Sequence, residues 1–179
     1  TENMRAMGYM EHGGDEQMYV LDKDGLVLVG TSEQSIGPMH AGETLETKKF
    51  PLRYAGFSTC FRREAGTYGK DMQGILRVHQ FDKVEMFSFV RPEDSDKEHE
   101  YLLSLEEKFL QALEIPYQVV KMCTGDLGAP AARKYDLEAW IPSQGRYREL
   151  TSTSTCTDFQ ARRLNIKYKE GNKTEYVHT

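Results

Sequence analysis

Two stretches rich in aromatic and β-branched residues, 53–64 and 75–90, flank a segment punctuated by Gly66, Gly69 and Gly74, and this pattern limits the possible folds more than any other. Such side chains pack well on a pleated surface, and glycines supply the backbone freedom a reversal needs. The reading is a long β-hairpin with a glycine-rich connecting loop. A strand has a period of two, so Cys60, Arg62 and Glu64 are expected to share one face, and Arg77, His79, Phe81, Lys83 and Glu85 one face of the returning strand. For either strand alone, a solvated polar face is a sufficient explanation. The pair is harder to dismiss, because guanidinium groups, carboxylates and an interposed ring together can grip an anion, an amine and a flat base.

The remainder of the chain reads as more strands than helices. The apolar run 25–31, bounded by Gly25 and Gly30, predicts a buried strand, with a short helix after Ser35. From Glu93 the pattern turns helical: Asp94 or Ser95 is placed to cap it, and Leu102, Leu105, Phe109, Leu110 and Leu113 recur at helical spacing. Segments 116–122, 134–141, 147–154 and 164–169 predict further strands, with a turn at 124–128. Strands that follow one another without crossover helices favour an α+β domain with a largely antiparallel β-sheet flanked by helices. At 179 residues, one domain is expected.

Composition excludes several functions. With 39% hydrophobic and 28% charged residues and no apolar run near bilayer length, no membrane partner is expected. A net charge of −5 argues against broad capture of a phosphate backbone, so any RNA contact must be local. Cys60, Cys123 and Cys156 are far apart and odd in number, which points to a reducing compartment rather than to a disulfide framework or a zinc site. The histidines at 12, 40, 79, 99 and 178 are scattered, and none is assigned to a metal. The N-terminus carries neither an initiator Met nor a secretory leader, so the chain reads as a piece of something longer.

Within the hairpin, Arg62 and Arg77 suit a triphosphate, since a guanidinium stays charged and donates two parallel hydrogen bonds. Phe81 offers a flat face to a purine, with an arginine on the base's other side. Glu85 or Glu33 can take a substrate ammonium through a charge-assisted bond.

The string CFRREAGTYGKDMQGILRVHQFDKVE, 60–85, closely resembles motif 2 of class II aminoacyl-tRNA synthetases in the form characteristic of seryl-tRNA synthetases. Further segments match in order: 30–33, 123–128, 135–138, 148–152 and 158–163. The resemblance implies that Thr31, Ser32, Glu33, Arg62 and Glu85 bind serine, with Glu85 on its amino group. It implies that Arg62, Arg63, Glu64, Arg77, Val78, Phe81, Glu149, Leu150, Thr151 and Ser152 bind ATP, with Arg62 and Arg77 as the catalytic arginines. Arg62 would meet the α-phosphate, Glu64 the adenine, Val78 would offer backbone contact, and Glu149 and Ser152 would hold Mg²⁺. Strict alternation sets Glu149 and Ser152 on opposite faces, so a bulge or twist is required.

On the same resemblance, Ser32 stands where the family commonly has Ala, and Leu150-Thr151 where it has Ile-Ser. Motif 1, motif 3 and the coiled-coil arm that grips tRNA would lie outside the chain, so the isolated 179 residues are expected to form adenylate weakly or not at all. The implied activity of a full-length protein is serine–tRNA ligation in the cytoplasm or an organelle, through ATP, L-serine, tRNA(Ser) and a homodimer. A synthetase-like paralogue with a binding or regulatory role is the alternative, and a β-rich interaction module is another. Nucleotide binding separates the module from both others, and serine-dependent pyrophosphate exchange separates enzyme from paralogue.

Overall fold

The computed structural model describes residues 1–11, 14–65 and 76–179, so His12 and the loop glycines Gly66, Gly69 and Gly74 lie outside the described residues. The chain divides into two compact units. One comprises Thr1–Glu43, Arg53–Phe87 and Arg163–Ile166; the other comprises Thr44–Leu52, Ser88–Arg162 and Lys167–Thr179. Among the described residues the strands fall into four small sheets of two or three strands each, rather than one large sheet. Most strand pairings among the described residues are antiparallel, while Thr44–Glu46 runs parallel to Lys167–Glu170. The expected antiparallel α+β character therefore holds, and the sheet is subdivided.

In the first unit, helix α1 (Glu2–Ala6) precedes a two-residue hairpin, β1 (Val20–Leu21) with β2 (Leu26–Val27). The buried strand expected at 25–31 is thus reduced to Leu26–Val27, and Leu26 is 54% exposed. Gly25 sits at φ +63 in a tight reversal, the Leu28 amide on the Tyr19 carbonyl extends the short hairpin by one step, and the Val29 carbonyl then accepts from the Phe61 amide instead. Helix α2 (Glu33–Ile36) follows and passes into a single 3₁₀ turn, Gly37–His40.

The long hairpin is β4 (Leu52–Phe61) paired with β5 (Gln80–Phe89). Thr59 Oγ1 donates to Asp82 Oδ1 at 2.8 Å and the Arg62 amide to the His79 carbonyl at 3.0 Å, so numbers rise on one strand as they fall on the other. That is an antiparallel register. The strands are shorter than the sequence pattern suggested, because Arg62 to Glu64 and Arg77 to His79 have left regular structure. Along β5, Phe81, Lys83 and Glu85 are half-buried while Gln80, Asp82 and Val84 are exposed, which is the expected alternation.

The second unit holds the meander β6 (Tyr117–Lys121), β7 (Arg133–Ile141) and β8 (Arg146–Thr155), covered by helix α3 (Ser95–Ala112). Leu103 and Leu110 of α3 pack with Leu137 of β7, and Ile115, Tyr117 and Tyr135 close the cluster. Polar pins fix the helix: Thr151 Oγ1 donates to Glu106 at 3.1 Å, and the Ser95 and Thr155 hydroxyls lie 3.0 Å apart. The expected side-chain cap is not made; Asp94 occupies the cap position without such a bond, and Ser95 is engaged by Thr155. Segment 164–169, expected as a strand, instead begins as the end of helix α4 (Phe159–Leu164). Asn165 at φ 54 stops the helix, since Asn tolerates the left-handed region, and β9 (Lys167–Glu170) follows. β9 lies between β10 (Lys173–Tyr176) and β3 (Thr44–Glu46).

Candidate functional site

The first unit gathers most of the candidate residues along the β4–β5 hairpin toward the end where β4 leaves and β5 begins. Gly56 of β4 lets α2 approach: a Cβ there would lie 2.7 Å from Ile36 Cδ1 and 3.0 Å from Ser32 Cβ. That close approach seats Thr31 and Ser32, both buried, against the strands. The Ser32 hydroxyl lies 2.7 Å from the Ser58 hydroxyl, and the Thr31 hydroxyl donates to Glu85 Oε2 at 2.5 Å. Lys83 Nζ donates to Thr31 Oγ1 at 3.0 Å and also to Glu85 Oε2. Glu33, half-buried at the start of α2, gives its amide to Thr31 Oγ1 at 3.3 Å.

Arg62 is held just beyond β4. Its Nε and Nη2 both reach the Gly30 carbonyl at 3.2 Å, and its guanidinium carbon lies 5.2 Å from the Phe81 ring centre. That separation leaves no room for a third flat group between them, so a base on Phe81 would lie against the ring's other face. Glu64, at φ 50, turns to pair with Arg77 Nη1 at 2.6 Å. Arg77 Nε is buried, with no hydrogen-bond partner among the described residues. Arg63 is exposed, with its amide on the Gln17 carbonyl at 2.9 Å, and Val78 is half-buried between Arg77 and β5. Gln17, which the sequence did not single out, also clasps the Ala65 backbone by both ends of its amide, at 3.0 and 3.2 Å. No local signal marks it. Lys83 was legible, two residues before Glu85 on the same face, but carried no role.

Glu149, Leu150, Thr151 and Ser152 lie on β8, in the second unit. The register of β7 against β8 slips here: Leu137 faces Thr151 and Glu138 faces Glu149, which leaves Leu150 as the extra residue of a bulge. Glu149 and Ser152 therefore stand opposite Glu138 and Asp136, two steps apart on β7, and share one face. Thr151 turns to the other face, toward Glu106 of α3. Lys134 Nζ lies 2.8 Å from Asp136 Oδ1 and 3.7 Å from Glu149 Oε1. Burial acts to lower the lysine's pKa, but the two carboxylates outweigh it, and the ammonium is held above its ordinary range. Among the described residues there is no group of three or more His, Cys, Asp or Glu side chains that could hold a metal, so a cation at Glu149 and Ser152 would need ligands from elsewhere. No helix among the described residues is long and apolar enough to cross a membrane.

A family model, the tRNA synthetase class II core domain (G, H, P, S and T), matches residues 19–179, and the chain belongs to that family. The serine–tRNA ligase of Streptomyces coelicolor is 56% identical over 178 residues, covering 99% of this chain and 42% of its own length. That of Acidothermus cellulolyticus is 58% identical over 167 residues, 93% of this chain and 40% of its own. Among solved structures, the crystal structure of seryl-tRNA synthetase from Pyrococcus horikoshii complexed with ATP superposes with a TM-score of 0.93 at 49% identity. It is covered over 98% of this chain and 40% of that one. The cytoplasmic serine–tRNA ligase from Naegleria fowleri in complex with AMP gives 0.90 at 41% identity, over 99% and 43%. The chain thus spans about two fifths of the length of the relatives it matches.

Proposed function

We propose that this chain is the portion of a serine–tRNA ligase that holds ATP and L-serine, and that the whole protein activates serine as seryl-adenylate and transfers it to tRNA(Ser). The observation that carries the reading is the meeting of Thr31 with Glu85, residues distant in sequence, in one hydrogen-bonded cluster beside the α2 entry. A carboxylate held by a hydroxyl donor on the inner face of a hairpin is suited to receive an ammonium. Ser32 and Glu33 would complete the serine pocket from α2.

In this reading the serine carboxylate attacks the α-phosphorus of ATP and pyrophosphate leaves; the terminal hydroxyl of the tRNA then attacks the seryl carbonyl and AMP leaves. Arg62 would orient serine and the α-phosphate, and Arg77 would place charge on the phosphates. Positioning and charge stabilisation are what such residues supply, and no covalent enzyme intermediate is needed. Adenine would stack on the face of Phe81 opposite Arg62, with Arg63, Glu64 and Val78 around it. Glu149 and Ser152, on one face through the Leu150 bulge, offer one carboxylate and one hydroxyl. Such hard oxygen donors fit Mg²⁺, which takes few protein ligands and fills its shell with water and phosphate oxygens. When bound, Mg²⁺ would neutralise phosphate charge, while Leu150 and Thr151 contribute backbone to the nucleotide. A homodimer in the cytoplasm completes the proposal.

The test is serine-dependent ATP–pyrophosphate exchange in a full-length ligase containing this sequence. Glu85→Gln removes charge and keeps shape, so the serine KM is expected to rise at least ~10-fold with the ATP KM nearly unchanged. Equal losses for both substrates would show that Glu85 supports the sheet instead.

A further inference from the structure

We propose that Lys83 is a built-in occupant of the ammonium position at Glu85, a displaceable internal cation that holds Glu85 and Thr31 in register until the amino group of the amino acid replaces it. The inference rests on the reading of Glu85 as the ammonium acceptor.

The hydrogen bonds in the cluster have only one consistent set of directions. The Thr31 hydroxyl carries one proton and donates it to Glu85 Oε2 at 2.5 Å. Its oxygen must then accept from Lys83 Nζ at 3.0 Å, as it does from the Glu33 amide at 3.3 Å. Lys83 closes the ring by donating to the same Glu85 Oε2. An α-ammonium group is a compact cation with three N–H donors, as the lysine head is, and would seek the same oxygens.

Exposure and geometry make Lys83 replaceable. Its side chain is 34% exposed, against 18% for Glu85, so the ammonium can withdraw to water while the carboxylate stays. A flexible four-carbon stem allows that withdrawal without moving β5, and an ion pair open to solvent is weak. The Arg77–Glu64 pair differs: its carboxylate is 12% exposed and the arginine Nε is buried. The device has a consequence for selectivity. A ligand must bring an ammonium and enough further contacts to displace Lys83, so a simple amine is disfavoured where an amino acid is not.

The experiment uses the full-length ligase containing this sequence, with 2-amino-1,3-propanediol, an amine with hydroxyls and no carboxylate, as a competitor of serine in pyrophosphate exchange. Lys83→Met keeps the apolar stem and removes the cation. The inhibition constant of the amine is expected to fall about fivefold, the scale of one solvent-accessible ion pair, with the ATP KM unchanged. Lys83→Arg, which keeps a cation, should restore the wild-type constant, an outcome that a purely structural role would not require. Lys83→Gln serves as a second neutral variant if the Met variant melts early, and should lower the constant as well. An unchanged or raised constant in a folded neutral variant would overturn the proposal. Glu85→Gln in parallel separates the two failures: if it weakens serine while the Lys83 variants behave as wild type, only the role of Lys83 falls; if it leaves serine unaffected, the serine-site reading falls first.

Discussion

Gly56→Ala is the sharpest probe of how the serine-side pocket is built. The substitution adds a Cβ 2.7 Å from Ile36 Cδ1 and 3.0 Å from Ser32 Cβ. Carbon atoms rest at about 3.5–4 Å, so each pair is short by at least about half an ångström. Ile36 Cδ1 is the far end of a side chain and can swing aside. Ser32 Cβ is fixed to the backbone at the entry of α2, so that segment must shift bodily. The movement bears on the Ser32–Ser58 bond at 2.7 Å and, one residue away, on the Thr31–Glu85 bond at 2.5 Å. Overpacking costs about 1–3 kcal/mol. The loss of glycine's unfolded-state freedom offsets about 0.4–1 kcal/mol of that. The expected net destabilisation is about 0.5–2 kcal/mol, read as a lower urea midpoint. In the full-length ligase the serine KM should rise more than the ATP KM, because the displaced atoms are those of the serine pocket. Unchanged stability together with an unchanged serine KM would refute the close-approach argument.

Arg62→Ala is expected to lower serine-dependent pyrophosphate exchange by at least ~10²-fold, the scale of one lost charge donor in the transition state. Arg62→Lys should recover little, because an ammonium cannot fork onto the Gly30 carbonyl as Nε and Nη2 do; exchange within a few-fold of wild type in either variant would remove Arg62 from the mechanism. The Tyr168 hydroxyl is pushed up to about 12 by burial and by its bond to Glu175 at 2.8 Å. An unfolded tyrosine loses its proton near 10, so between about pH 10 and 12 the folded chain binds more protons than the unfolded one and stability must fall as pH rises. Urea midpoints across that range should decline for the wild type and more gently for Tyr168→Phe, and parallel curves would show that Tyr168 is not the group responsible.

Much was legible in the residues alone. The hairpin, helix α3 and the β6–β7–β8 meander follow from periodicity, because burial of one face imposes a period of two or of 3.6 on a chain that must hide its apolar side. The half-buried set Phe81, Lys83 and Glu85 follows from the same rule, and so does the need for a bulge between Glu149 and Ser152, since parity alone sets them apart. The motifs at 60–85 and 148–152 carry the family resemblance without any geometry.

Other features depended on contacts between residues distant in sequence. Apolar composition at 25–31 predicted a buried strand, but burial is a property of what lies above a segment, and Leu26 is left 54% exposed. Asp94 had the right chemistry for a cap, yet Ser95 found Thr155, sixty residues on, and no capping bond forms. Arg62 suits a phosphate and Phe81 a base, and only the fold stacks one upon the other. The sequence by itself determined which residues carry charge, which elements can form and to which family the chain belongs, because these rest on side-chain chemistry and short-range periodicity. The tertiary structure alone decided which donor meets which acceptor: Thr31 with Glu85 and Lys83, Arg77 with Glu64, and Leu150 as the residue left out of register. A hydrogen bond is settled by tenths of an ångström, and over long sequence separations only the packed fold sets distances that finely.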